Sequence, residues 1–189
     1  MAGYSAAVVG EAIPAAVGEV EAVEEAGFRV AEGALAGEAP GQVGDMKARD
    51  FLSQLEHDAI VKAIAEAEAK MRGEIRVFIS RKEPEDAVAA AEKVFHHLKM
   101  HKSREQNGVL LFVAPRVKKF AVIGDSAVHA QCGDEFWKEV TQEMSGHFRK
   151  GEFTGGILHG VRRAGKLLAE HFPRHPGDKT PQPGDIAHD

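Results

Sequence analysis

The chain has 189 residues, 43% of them hydrophobic and 28% charged, with a formal net charge of −5. That length allows one domain with a sizeable core plus tails. Residues 1–45 hold seven Glu, one Asp and a single basic residue, Arg29, whereas residues 46–189 hold 23 basic and 21 acidic residues; a body this close to neutral lacks the basic face that nucleic-acid binding needs.

Residues 1–45, rich in Ala, Gly, Val and Glu with no clean period, read as a weakly ordered tail. The composition changes abruptly at Met46, which makes Met46 a plausible true start of the native protein. Residues 46–172 read as one α/β domain. Ser53-Gln-Leu-Glu56 has the capping-box pattern and predicts a helix start. Leu55, Ala59, Ile60, Ala63, Ile64, Ala67 and Met71 then form an apolar stripe at helical spacing, ended by Gly73. Ile75, Val77 and Ile79 alternate with Arg76 and predict a first strand. Pro84-Glu-Asp opens a second helix from Glu85 to about Lys99.

Val109 to Ala114 has no polar residue, and a run apolar on both parities belongs to a strand buried on both faces. A short loop, Pro115–Lys118, leads to a third strand, Lys119 to Ile123, closing on Gly124-Asp125. Gly133-Asp-Glu starts a further helix with Phe136, Trp137, Val140, Met144 and Phe148 inward. Thr154 is placed as N-cap of the last helix, which carries Ile157, Val161, Leu168 and Phe172 and stops at Pro173. Residues 173–189 hold four prolines and no apolar period and read as a tail.

The expected fold is therefore α/β: a small mixed sheet of order 1-2-3 with helices on both faces, a three-layer sandwich. The strand–helix–strand crossover makes strands 1 and 2 parallel, and the short loop makes strand 3 antiparallel to strand 2. Glu74, Asn107-Gly108 and Gly124-Asp125 then fall at one edge of the sheet. Arg104, Glu105, Asn107, Asp125 and Asp134 or Glu135 can converge there. Carboxylates and an amide carbonyl suit a hard cation such as Ca²⁺, and an arginine suits phosphate or carboxylate. The plainer alternative is that Asn107 and Gly108 shape a turn while Asp125 caps the next segment. Open α/β sheets more often bind ligands at the carboxyl ends of their parallel strands, which here is the opposite edge, near Ser80 and Ala114.

The stretch Arg104-Glu-Gln-Asn-Gly-Val-Leu-Leu-Phe-Val-Ala, a following strand ending in Ile-Gly-Asp, and the block Phe136-Trp-Lys-Glu-Val to His147-Phe-Arg-Lys-Gly-Glu-Phe-Thr-Gly-Gly-Ile-Leu-His-Gly-Val resemble the TPM domain family. The resemblance spans roughly Ser53 to Pro173. Gly73-Glu-Ile-Arg-Val77 is similar to the version in soluble bacterial members without signal peptide or membrane anchor. The resemblance implies a compact α/β sandwich, weak acid phosphatase activity in some members and calcium binding in some. On that basis Asp125 and Arg104 would act on substrate, Arg104, Asn107, Gly108 and Gly124 would bind phosphate, and Glu74, Glu105, Asp125 and Asp134 would hold Ca²⁺. Gln106 stands where many TPM proteins carry Asp, and the family's G-x-G-L-E pattern is replaced by Gly124-Asp-Ser-Ala-Val.

Other patterns carry alternatives. Gly124-Asp-Ser126 with Asp185-x-x-His188 imitates a GDS-type serine esterase. His96, His97 and His101 suggest a metal site near a helix end. Cys132, the one cysteine, allows no disulfide or thiolate zinc site and reads as an inert thiol in a reducing compartment. No apolar stretch approaches the ~20 residues that span a bilayer, and the N-terminus has no signal-peptide n-region. The expectation is a cytoplasmic ligand-binding or interaction module, its partner a protein or a small phosphorylated ligand, with a phosphomonoester hydrolase as the alternative.

Overall fold

The computed structural model describes residues 48–103, 105–175, 178 and 186–189. The expectations for residues 1–45 and Met46, and those for Arg104 and Asp185, lie outside the described residues. The elements are α1 (Ala48–Gln54), α2 (His57–Glu68), β1 (Glu74–Ile79), α3 (Ala87–His97), β2 (Gly108–Ala114), β3 (Lys119–Gly124), α4 (Ser126–Arg149), α5 (Phe153–His171) and β4 (Ile186–His188).

The sheet runs β3-β2-β1-β4. β1 and β2 are parallel, with Glu74 level with Gly108, and β2 and β3 are antiparallel, with Val109 level with Gly124. The expected order 1-2-3 is thus present, but a fourth strand extends it. Ile186–His188, inside the stretch expected to be a tail, pairs in parallel with Val77–Ile79. The reason is tertiary: without it β1 would leave its backbone N–H and C=O groups unpaired along one side. Pro173 likewise returns to the body, bridging Met71.

Every residue of β2 is buried, as its unbroken apolar run demands. Its two parities serve two cores. Val109, Leu111 and Val113 join Ile75, Val77, Ile79, Phe120 and Val122 under α2, α4 and α5. Leu110, Phe112 and Ala114 join Phe78, Ala121 and Ile123 under α3, which supplies Val88, Ala91 and Phe95. These are the three expected layers, with α1, α2, α4 and α5 on one face and α3 on the other. Burying each Val, Leu, Ile or Phe among them contributes roughly 1.5–3 kcal/mol.

Two predicted caps are used differently. α1 runs through Ser53, and the chain breaks at Leu55–Glu56, so no capping box forms; Glu56 sits at the N-cap of α2 without a side-chain cap. The N–H of Glu56 instead donates to the Thr154 hydroxyl, 3.1 Å away. Thr154, expected to cap α5, lies inside its first turn, and Glu152 holds the N-cap position. Long-range packing outranks local capping because buried Leu55 and Phe51 pin both helices to the core. By contrast Asp86 caps α3 as a local acceptor should, receiving Val88 N–H at 2.8 Å and Ala89 N–H at 3.0 Å. The expected break before Asp134 is a kink inside α4 at Gly133, whose φ of 66° is left-handed.

Candidate functional site at the sheet edge

The edge assembled from strand direction alone is present. Glu74 begins β1 beside Gly108, and the N–H of Asp125 donates to the Gly108 carbonyl at 2.9 Å. The residues there are spent mostly on one another. Asn107 is 1% exposed. Its amide donates to the Arg72 carbonyl at 2.8 Å and to Glu105 Oε2 at 3.1 Å, and its Oδ1 accepts from the Ser103 hydroxyl at 3.0 Å. Both amide hydrogens are used, so Asn107 has no donor left for a phosphate oxygen. Glu105 Oε1 pairs with Arg72 Nη1 at 2.6 Å. Glu74 pairs with Arg76 at 2.5 Å. Asp134 does not join the edge group; it faces His129, 3.6 Å away on the same helix.

Asp125 is 1% exposed and is the N-cap of α4, its Oδ1 accepting the Ser126 N–H at 2.8 Å. The plainer expectation for this residue therefore holds: it caps. Its Oδ2 is buried and has no hydrogen-bond partner among the described residues, and neither has His101 Nδ1. Burial raises the Asp125 pKa above its ordinary value, against the Ser126 hydrogen bonds and the charge of His101, which lower it.

Arg72, Ser103, His101 and Gln106 were not singled out as edge residues from sequence. Register could have found Arg72: with Glu74 level with Gly108, the residue two before Glu74 lies beside Gln106. Gln106 takes a φ of 49°, which only the turn geometry reveals.

The donor set does not fit calcium. Ca²⁺ takes about six to eight oxygens, whereas Glu74, Glu105 and Asp134 each face a cationic or ionisable partner. Among the described residues no group of three or more His, Cys, Asp or Glu side chains is arranged to hold a metal ion. His96 and His101 meet ring to ring, their centroids 4.5 Å apart.

A family model for the TPM domain matches residues 46–167. The chain belongs to the TPM domain family. The BA42 protein from the psychrophilic bacterium Bizionia argentinensis is similar in structure, with a TM-score of 0.65 and 36% identity over 71% of this chain and 92% of that one. The N-terminal domain of a P. gingivalis protein aligns at 17% identity and a TM-score of 0.45, over 71% of this chain and 85% of that one. No curated protein matched the chain.

This TPM domain is not built as a GDS esterase. Ser126 lies at the starting edge of the parallel strands, while His188 is level with Ile79 at their far end. β1 alone, six residues long, separates the two edges by about 17 Å. The Ser126 hydroxyl donates to Gln106 Oε1 at 2.9 Å, and among the described residues it has no hydrogen bond to an imidazole. Burial pushes the Cys132 thiol up to about 11, so it is not a thiolate at neutral pH. Among the described residues no helix is long and apolar enough to cross a membrane.

Proposed function

We propose that this TPM domain is a binding module and does not turn over a substrate. The observation that carries this is the burial of Asp125 and Asn107, each 1% exposed. A residue that works on a phosphate ester must reach within about 3 Å of it, and both of these face the protein. What further supports the reading is that the Ser126 hydroxyl is donated to Gln106 and that the edge carboxylates are committed to Arg72, Arg76 and Ser126.

One observation favours a weak phosphomonoester hydrolase. Asp125 Oδ2 is buried, unpartnered among the described residues and raised in pKa, which is how a general acid is prepared. p-Nitrophenyl phosphate at acid pH separates the two. The binding reading expects the wild type and Asp125→Asn to be equally silent; hydrolysis by the wild type that Asp125→Asn abolishes overturns it.

A further inference from the structure

A cleft of about 410 Å³ opens at the opposite edge of the sheet, at the carboxyl ends of β1 and β4. It exists because one helix cannot cover four strands. α3 packs against β2 and β3, leaving the β1–β4 side of that face open. Phe78 and Ala187 form the floor, and Val94 and Leu98 form the wall beside α3. The size is within the range of small-molecule sites, and the carboxyl ends of parallel strands are where open α/β sheets take ligands.

Charge gives the chemistry. Lys82, Lys93, His97 and His188 stand around the apolar floor, with Asp189 as the acidic side chain among the described residues. Asp189 is already engaged: it accepts from the Arg81 N–H at 2.5 Å and the Ser80 hydroxyl at 3.3 Å, and Lys82 lies 3.2 Å away. The side chains of Lys93, His97 and His188 have no ion-pair or hydrogen-bond partner among the described residues. Lys93 is thus the ammonium of the lining without an ion-pair partner among the described residues. That balances a monoanion and leaves a phosphate dianion in excess. Among the described residues no arginine lines the cleft to grip phosphate with two parallel bonds.

We infer that this cleft binds a small apolar carboxylate, its aromatic or branched aliphatic body on Phe78, Ala187, Val94 and Leu98 and its carboxylate at Lys93. The proposal deepens the binding reading and rests on it, since a ligand here is held at the end of the sheet away from Asp125. A carboxylate has no ester bond for the other edge to cleave.

The test is an amide chemical-shift titration of the full chain with 2-naphthoate. Saturable shifts at Phe78, Val94, Leu98 and Ala187 are expected, with a dissociation constant of about 1 mM for a ligand of this size. Acetate, the head alone, and 2-naphthol, the body alone, should each bind at least roughly tenfold more weakly. Lys93 is exposed, so Lys93→Glu leaves the fold intact and should weaken naphthoate binding roughly tenfold. The proposal fails if naphthoate gives no saturable shifts, if the shifts lie elsewhere, if naphthol binds as well, or if Lys93→Glu changes nothing. Turnover of p-nitrophenyl phosphate that depends on Asp125 would sink the binding reading and leave these shifts untouched. Absent shifts would sink the cleft and leave that reading standing.

Discussion

The Ser126 hydroxyl donates to the side-chain carbonyl of Gln106 at 2.9 Å, and the N–H of Ala127 reaches the Gln106 main-chain carbonyl at 3.2 Å. These two bonds tie the turn before β2 to the first turn of α4. They also occupy the one hydroxyl that a nucleophile block would need. Removing it with Ser126→Ala should cost about 1 kcal/mol, the usual net worth of one such bond. Urea denaturation measures this. A fluorophosphonate probe should leave Ser126 unlabelled, and labelling would overturn its structural role.

Asp125 gives a pH dependence of defined sign. Its pKa is raised in the folded state, chiefly by burial. The folded state therefore holds that proton more tightly than the unfolded chain does. Its contribution to stability improves as pH falls through the folded pKa toward the ordinary aspartate range, and it is unfavourable above the folded pKa. Asp125→Asn keeps an oxygen to cap α4 and removes the buried charge. It should raise the melting temperature more at pH 7 than at pH 4. A stabilisation that grows on acidification would contradict the raised pKa.

Asn107 ties the turn before β2 to Arg72, accepting from Ser103 and donating to Arg72 and Glu105. Asn107→Ala leaves the Arg72 carbonyl and the Ser103 hydroxyl without that partner. A loss of about 1–3 kcal/mol is expected from chemical denaturation. No change would mean that water replaces the amide freely.

Gly124 is where β3 meets the single tryptophan. A Cβ added there would lie 2.6 Å from Cζ2 of Trp137, closer than carbon atoms approach. Trp137 is wholly buried between α4 and the sheet and cannot retreat without opening the core. Gly124→Ala should destabilise by about 1–3 kcal/mol and shift the tryptophan emission. An unchanged spectrum and stability would show that the indole has room to move.

Millimolar CaCl2 should leave the melting temperature where it is. A ligand that binds only the folded state raises it, the stabilisation growing with the logarithm of one plus the ratio of free ligand to Kd. A saturable rise abolished by Glu105→Gln would restore calcium to the edge site.

The lines of the fold were legible where a pattern had one physical cause. The six apolar residues in a row from Val109 to Ala114 read as a strand covered on both faces, and they are. The convergence of Glu74, Gly108 and Asp125 followed from strand direction, since parallel strands start at one edge and an antiparallel strand ends there. What those residues do on meeting was not legible. The pairing of Arg72 with Glu105 spans 33 residues, and that of Glu56 with Thr154 spans 98. No spacing rule reaches so far.

By itself, then, the sequence determined the periodic elements, the sheet order through three strands and the family, because hydrophobic period and loop length are local quantities. Only the tertiary structure decided that Ile186–His188 completes the sheet, since a three-residue strand forms only where an edge already waits for it. The same edge strand creates the apolar floor beside Lys93. And only packing decided that Asp125 would be a buried cap instead of an exposed acid, because burial belongs to the assembled core and to no segment of the chain.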